Sequence, residues 1–364
     1  MRFRGFEGEW ESCELGDIAE FSKGVGISKD QRSSEGSPCI LYGELYTTYL
    51  TEIVDEVVSK TDHDSKGLVK SKANDIIIPA SGETAIDIST ARCVLRNDVL
   101  LGGDLIIIRL NDHDGKFFSY QLNGVRKKDI ARIAHGVSIV HLHGNALSHI
   151  VVNYPSRREQ ERISSLLSLI DQRIALQNKV IEKYESLIKA LAYETIGKYT
   201  PNTMLSECVR CSSSTIKERD LLDSGTVPVY GASGISGYSD NALSENDSIL
   251  ITKDGSGVGY LRYVRGSHSF VGTLNSMTPN KGIYLPYIYY ALQNVCFESY
   301  RTGQAIPHIY FKDYGKEAIY CPSFDEQKRL ANGLEMIDSK IGIERAAFQY
   351  LQSVKTYLLS VLFI

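Results

Sequence analysis

Residues 155–163 read PSRREQERI, and residues 322–330 read PSFDEQKRL, the same pattern 167 positions later. Pro155/Pro322, Ser156/Ser323, Glu159/Glu326, Gln160/Gln327, Arg162/Arg329 and Ile163/Leu330 agree in type, six of nine positions. The pattern is a helix start. In a capping box, the hydroxyl of Ser156 or Ser323 accepts from the N–H of Glu159 or Glu326, whose carboxylate reaches back to the serine N–H. The preceding proline keeps the incoming chain extended. Glu326-Gln327-Lys328 beside Asp325 also matches the E-x-K fragment of a nuclease site, but the first copy carries Glu161 where Lys328 stands. The repeat therefore favours the helix start.

Each start opens a long apolar seam. Steps of four and three from Ile163 give Leu167, Ile170, Ile174, Gln177, Ile181, Tyr184, Ile188 and Leu191. The second copy gives Leu330, Leu334, Ile337, Ile341, Glu344, Phe348, Leu351, Lys355 and Leu358. This is coiled-coil spacing, and each seam carries a polar residue at the same central step, Gln177 and Glu344. Seams of this length need a partner of similar length, so the two helices are expected to meet near their middles. Gly197 and Pro201 stop the first helix, and Leu362-Phe363-Ile364 reads as a buried end of the second.

The duplication extends upstream. His135 to Leu142 aligns with Thr302 to Ile309 at the same shift, Asn74 to Ile78 parallels Asn246 to Leu250, and Leu15-Gly16-Asp17 parallels Leu205-Ser206-Glu207. The order is globular unit (1–155), long helix (156–197), globular unit (198–322), long helix (323–364). A period near half the chain is a tandem duplication and not a solenoid. Short β-rich runs such as Asp75 to Pro79, Asp104 to Leu110 and Ser248 to Thr252 alternate with glycine turns, which predicts mixed α/β units with prominent loops.

Composition narrows the function. No signal peptide or 18-residue apolar run is present, and seven cysteines without framework spacing suit a reducing cytoplasm. Cys208-x-x-Cys211 has no second pair at finger spacing, and His141-x-His143 with His135 and His149 has no carboxylate placed beside it, so no metal site is expected. With 40 basic and 44 acidic residues the net charge is −4, so nucleic-acid binding would have to use local patches. Candidate patches are Arg126-Lys127-Lys128 with Arg132, Lys23 with Lys29 and Arg32, Lys60 through Lys72, and Lys253 with Arg262 and Arg265. Tyrosines near glycine-rich loops, among them Tyr42, Tyr46, Tyr230, Tyr238, Tyr260 and Tyr263, add groups suited to base edges and phosphates. Phosphate-loop, G-x-S-x-G, H-E-x-x-H and Asn/Asp-Pro-Pro-aromatic motifs are absent from the sequence, which reads as non-catalytic.

Trp10 with Leu15-Gly16-Asp17-Ile18, the stretches Tyr42 to Tyr46 and Pro228 to Gly234, the Gly136 and Gly303 loops and the twice-used P-S-x-x-E-Q-x-R together resemble the specificity subunits of Type I restriction-modification enzymes. The resemblance spans nearly the whole chain. It implies two target recognition domains, each reading half of a bipartite, asymmetric site in double-stranded DNA, and two helices pairing as an antiparallel coiled coil with pseudo-two-fold symmetry. It further implies docking of two methyltransferase (modification) subunits that methylate adenine N6, and of restriction/translocase subunits. S-adenosylmethionine and ATP with Mg would belong to those partners, and no cofactor to this chain.

The expected pairing seam centres on Ile170, Ile174, Gln177 and Ile181 against Ile337, Ile341, Glu344 and Phe348. Roughly 35 helical residues span about 50 Å, against about 34 Å per turn of B-DNA, so the duplicated helix reads as a ruler. Expected DNA contacts are the loop groups at Lys23, Lys29, Tyr42, Glu44, Ser81, Thr84, Tyr230, Ser233, Lys253, Ser256, Arg301 and Gln304, with Arg126, Lys127 and Lys128 on phosphate. The competing readings are a two-domain adaptor that binds proteins and not DNA, and an autonomous nuclease or methyltransferase.

Overall fold

The computed structural model describes residues 2, 5–63, 66–303 and 306–363. Two compact units emerge, Met1–Asn178 with Ala347–Ile364, and Lys179–Ala346. Helices α1 (Gly115–Asn123), α2 (Arg157–Ala192), α3 (Leu285–Ala291) and α4 (Phe324–Val361) organise them. The α1 and α3 helices each lie on the sheet of one unit. By contrast α2 begins in the first unit and ends in the second, and α4 does the reverse. The compact units therefore do not follow a linear division into module, helix, module, helix.

In the first unit, strands β1 (Ala19–Lys23), β2 (Ile53–Val54), β3 (Asp75–Pro79), β4 (Arg92–Val94) and β5 (Leu105–Leu110) form a sheet ordered β1-β5-β3-β4-β2. All its pairings are antiparallel except that of β2 with β4. The unbroken isoleucine runs of β3 and β5 arise because both faces are covered. Ile76, Ile78, Ile106 and Ile108 pack with Phe117 and Phe118 of α1, while Ile77, Leu105 and Ile107 pack with Ile40, Leu45 and Leu101 under a smaller sheet.

The second unit repeats this plan. Strands β6 (Val209–Ser213), β7 (Ser248–Thr252), β8 (Leu261–Val264) and β9 (Leu274–Pro279) run β6-β9-β7-β8, all antiparallel, the order of β1-β5-β3-β4. Its smaller sheet joins Val227–Tyr230 in parallel to Ser269–Phe270, as Ser37–Ile40 joins Leu100–Leu101 in the first unit.

Every seam position on α2 and α4 is buried or half-buried. Within the first unit the start of α2 and the end of α4 run in opposite directions: Ile163 and Leu167 share a core with Leu362 and Phe363, and Asp171 meets Lys355 at 2.6 Å. In the second unit Glu185 of α2 meets Arg345 of α4 at 2.5 Å. The helices are thus paired antiparallel. Gln177 is buried, and Glu344 pairs with Lys340 at 2.7 Å.

The helix starts fall where expected, one residue past Ser156 and Ser323, but among the described residues no side-chain bond of a reciprocal capping box joins Ser156 to Glu159 or Ser323 to Glu326. Glu159 instead accepts from Arg2 at 2.9 and 2.7 Å, and Glu326 from Arg329 at 2.8 and 2.5 Å. An arginine fork offers a carboxylate two charge-assisted bonds, more than one serine amide can. The next residue holds each helix start in place. The Gln160 amide donates to the Pro155 carbonyl at 2.9 Å and accepts from the Asp114 amide at 3.0 Å, at the N-cap of α1. Likewise Gln327 donates to the Pro322 carbonyl at 2.9 Å and accepts from the Tyr284 amide at 2.8 Å, at the N-cap of α3. Both glutamines are buried, at 0 and 1 % exposure. One buried side chain thereby ties each long helix to the helix lying on its sheet.

Candidate nucleic-acid interface

In the first unit, β1 and β3 finish and β5 begins at the same end of the sheet, since Lys23 pairs with Ile106 and Pro79 with Leu105. The loops that leave this end are tied to one another. Ser81–Gly82 ladders against Val140–His141, and the Leu142 amide donates to the Ala80 carbonyl at 2.9 Å. His135 and His141 exchange two backbone bonds of 3.0 and 2.7 Å around a tight loop. Gly136 sits there at φ +127°, and an added Cβ would lie 2.0 Å from the Ile139 carbonyl oxygen, so only glycine fits. Beside these loops a cavity of about 880 Å³ is lined by Lys29, Arg32, Tyr42, Tyr46 and Asp104, among others.

The second unit builds the same loop end. Ile309 N–H donates to the Lys253 carbonyl at 2.9 Å, Gly255 N–H to Pro307 at 2.9 Å, and Thr302 and His308 exchange bonds of 2.9 and 2.8 Å. Gly303 at φ +85° takes the place of Gly136. Here the loop end presents tyrosines and an arginine. The Arg262 guanidinium lies 5.7 Å from the ring centres of both Tyr230 and Tyr260.

The proposed contact residues differ in what they present. Lys23, Lys29, Tyr42, Ser233 and Ser256 are exposed at the loop ends, with Tyr230 and Lys253 half-buried among them. Glu44 is instead buried and structural. Its carboxylate accepts from the Leu41 amide at 2.9 Å and from the Ser59 hydroxyl, with Arg32 at 3.6 Å. Ser81 is buried and donates to Asp104 at 3.0 Å, and Thr84 caps the turn Ala85–Ile88 by accepting from the Asp87 amide at 3.1 Å. Arg301 pairs with Glu298 at 2.6 Å. Gln304 lies outside the described residues.

Of the basic triplet, only Lys128 stands exposed. Arg126 pairs with Asp129 at 3.6 Å, and Lys127 is half-buried. Burial, and then the nearby Arg92, pull the Lys127 ammonium below the usual lysine value. A loop hydroxyl or carboxylate also serves turns and caps, as at Glu44, Ser81 and Thr84, and sequence alone does not separate that role from a base contact. The setting of Arg262 is not visible in sequence, because its ring partner Tyr230 comes from another strand 32 residues upstream.

Among the described residues, no group of three His, Cys, Asp or Glu side chains could hold a metal ion, and no helix is long and apolar enough to cross a membrane. Two α/β modules of one design, each with loops gathered at one end of its sheet, on paired long helices, define a duplicated recognition protein. The chain belongs to the family described as the Type I restriction modification DNA specificity domain, which matches residues 7–186 and 207–352. DNA recognition in a Type I restriction-modification system is therefore its role.

The fold agrees. The chain is similar to the crystal structure of the Type-I restriction-modification system S subunit from M. genitalium, at 20 % identity and a TM-score of 0.64, covering 100 % of this chain and 99 % of that one. A chain from a structure on complex assembly and conformational transition of the type I R-M system matches at 14 % identity and a TM-score of 0.54, covering 97 % of each. No curated protein sequence matches significantly.

Proposed function

We propose that each unit reads one half of a bipartite, asymmetric DNA site and that the paired helices set the gap between the halves. The observation that supports this is one sheet plan built twice with differently furnished loop ends, a cavity with Lys29, Arg32 and Tyr42 in the first and Arg262 beside Tyr230 and Tyr260 in the second. In this reading the chain works in the cytoplasm and docks two modification subunits that use S-adenosylmethionine to methylate adenine N6. Restriction/translocase subunits supply ATP with Mg chemistry, and the chain itself catalyses nothing.

The test is a genome-wide map of N6-methyladenine in cells expressing the chain with its modification subunit, against cells lacking the chain. A new bipartite motif with one fixed gap is expected. Removing one helical turn from both α2 and α4 should change the gap and leave both half-sites as they were. Failure to write any motif, with the modification subunit active alongside another specificity subunit, would overturn the reading.

A further inference from the structure

Arg262 sits in the middle of β8, its side chain on the sheet face that also carries Val264 and Leu250, under the strand Val227–Tyr230. Its guanidinium is 5.7 Å from the Tyr230 ring centre and 5.7 Å from the Tyr260 ring centre, within cation–π range of both. Tyr230 is itself fixed. Its ring meets His268 edge-on at 6.1 Å, and His268 is fully buried, with its imidazole bonded to the Ser248 hydroxyl and the Gly266 carbonyl, each at 2.7 Å. The one hydrogen bond of the guanidinium within the described protein is a 3.5 Å contact to the Ala232 carbonyl. No carboxylate among the described residues forms an ion pair with it, whereas Arg219 and Arg301 of the same unit are paired with Asp220 and Glu298.

An arginine flanked by two rings has lost rotamer freedom before any ligand arrives. Its guanidinium presents a fork of parallel N–H donors beside the Ala232 to Gly234 loop. That fork matches two acceptors side by side in a plane, and in the DNA major groove the pair is guanine O6 and N7. A phosphate also accepts such a fork, but backbone contact needs reach rather than orientation. The half-buried Lys253 at the same loop end is a flexible cation better suited to that task. The Ala232-Ser233-Gly234 turn beside the guanidinium adds exposed backbone and a hydroxyl for the flanking base pair.

We propose that Arg262 is a specificity-determining residue which reads a guanine in the half-site recognised by the second unit. The proposal rests on the DNA-recognition reading above. Methylation motifs written by the complete complex would be mapped for the wild type, R262A and R262K, with assembly checked by co-purification of the modification subunit. In the wild-type motif, the second unit's half-site is expected to contain a guanine. At that position alone, R262A should lower the preference for guanine by roughly ten- to hundredfold. R262K keeps the charge but loses the fork, so it should relax the same position, while the first half-site and the gap stay fixed.

A wild-type motif that both variants leave unchanged would overturn the assignment alone. Weaker methylation at every site with no position relaxed would also overturn it, since that is the behaviour of a phosphate contact. A wild-type complex that writes no motif would overturn the DNA reading and this assignment with it.

Discussion

The two units share a sheet order and a buried glutamine at the helix start, yet they hold their share of the long helices by different means. In the first unit the contact is a sealed charge cluster. Lys355 of α4 lies 2.6 Å from Glu52 and 2.6 Å from Asp171 of α2, and the Tyr120 hydroxyl donates to Asp171 at 2.6 Å. The second unit uses the Glu185–Arg345 pair, whose side chains are 42 and 53 % exposed. The duplication has thus kept the junction between sheet and helix start and allowed the rest of the helix contact to diverge. Lys355, a seam residue that breaks the apolar pattern, takes both of its carboxylate partners from within the first unit.

The largest effect that would sharpen this contrast is at Lys355. Replacing it with alanine leaves two carboxylates, each 9 % exposed, without their cation, at a cost of about 3 to 5 kcal/mol. R345A should cost less than about 1 kcal/mol, because its pair is open to water. Urea unfolding of the two variants against wild type measures both, and equal costs would break the comparison.

The pH dependence has a definite sign. Burial pulls the Lys355 ammonium down, but Glu52 and Asp171 outweigh burial and hold it above the usual lysine value. Its stabilisation is therefore complete below the unfolded lysine pKa of about 10.4 and is lost as pH rises through the folded value. Burial raises Glu52 despite Lys355. A carboxyl group with a raised folded pKa gains stability as pH falls through that value. Without Lys355 the rise is larger, so the gap between K355A and wild type should narrow as pH drops from 7 towards 5.

The next effect concerns what the units share. Q160L leaves the buried Pro155 carbonyl and Asp114 amide without a partner, and Q327L does the same to the half-buried Pro322 carbonyl and Tyr284 amide. Each should lose about 2 to 3 kcal/mol, and the two losses should agree within about 0.5 kcal/mol if the junctions are equivalent. A large difference in unfolding midpoints would show that the repeat preserves sequence without preserving energetics.

These glutamines also mark the limit of what the sequence discloses. The tandem order, the α/β character and both helical seams follow from periodicity and a constant shift, which local residues carry. The repeated Glu-Gln was equally visible, but S-x-x-E has a local explanation, while Gln160 finds its partner 46 residues upstream at Asp114. Glu44 and Arg262 follow the same logic at the loop ends. Glu44 looks available for a base edge until Leu41 and Ser59 are seen to occupy it, and Arg262 looks like one cation of a patch until Tyr230 arrives from another strand. Residues whose role depends on a distant partner are where a single sequence is least informative.

The smallest effect is expected at the residues that first suggest a cap. The Ser156 and Ser323 side chains are exposed, and neither hydroxyl makes a hydrogen bond among the described residues. What Ser156 supplies is its carbonyl, which accepts from the Glu159 and Gln160 amides at 2.9 and 3.0 Å, as the Ser323 carbonyl accepts from Gln327 at 2.9 Å. Alanine retains that carbonyl. S156A and S323A should therefore change stability by less than about 0.5 kcal/mol, whereas a working serine cap typically costs about 1 kcal/mol to remove. A loss of that size at both positions, read from the same urea curves, would mean that the serine caps form in solution and share the junction with the glutamines. A loss at one position only would instead make the helix start, like the rest of the helix contact, a place where the two units differ.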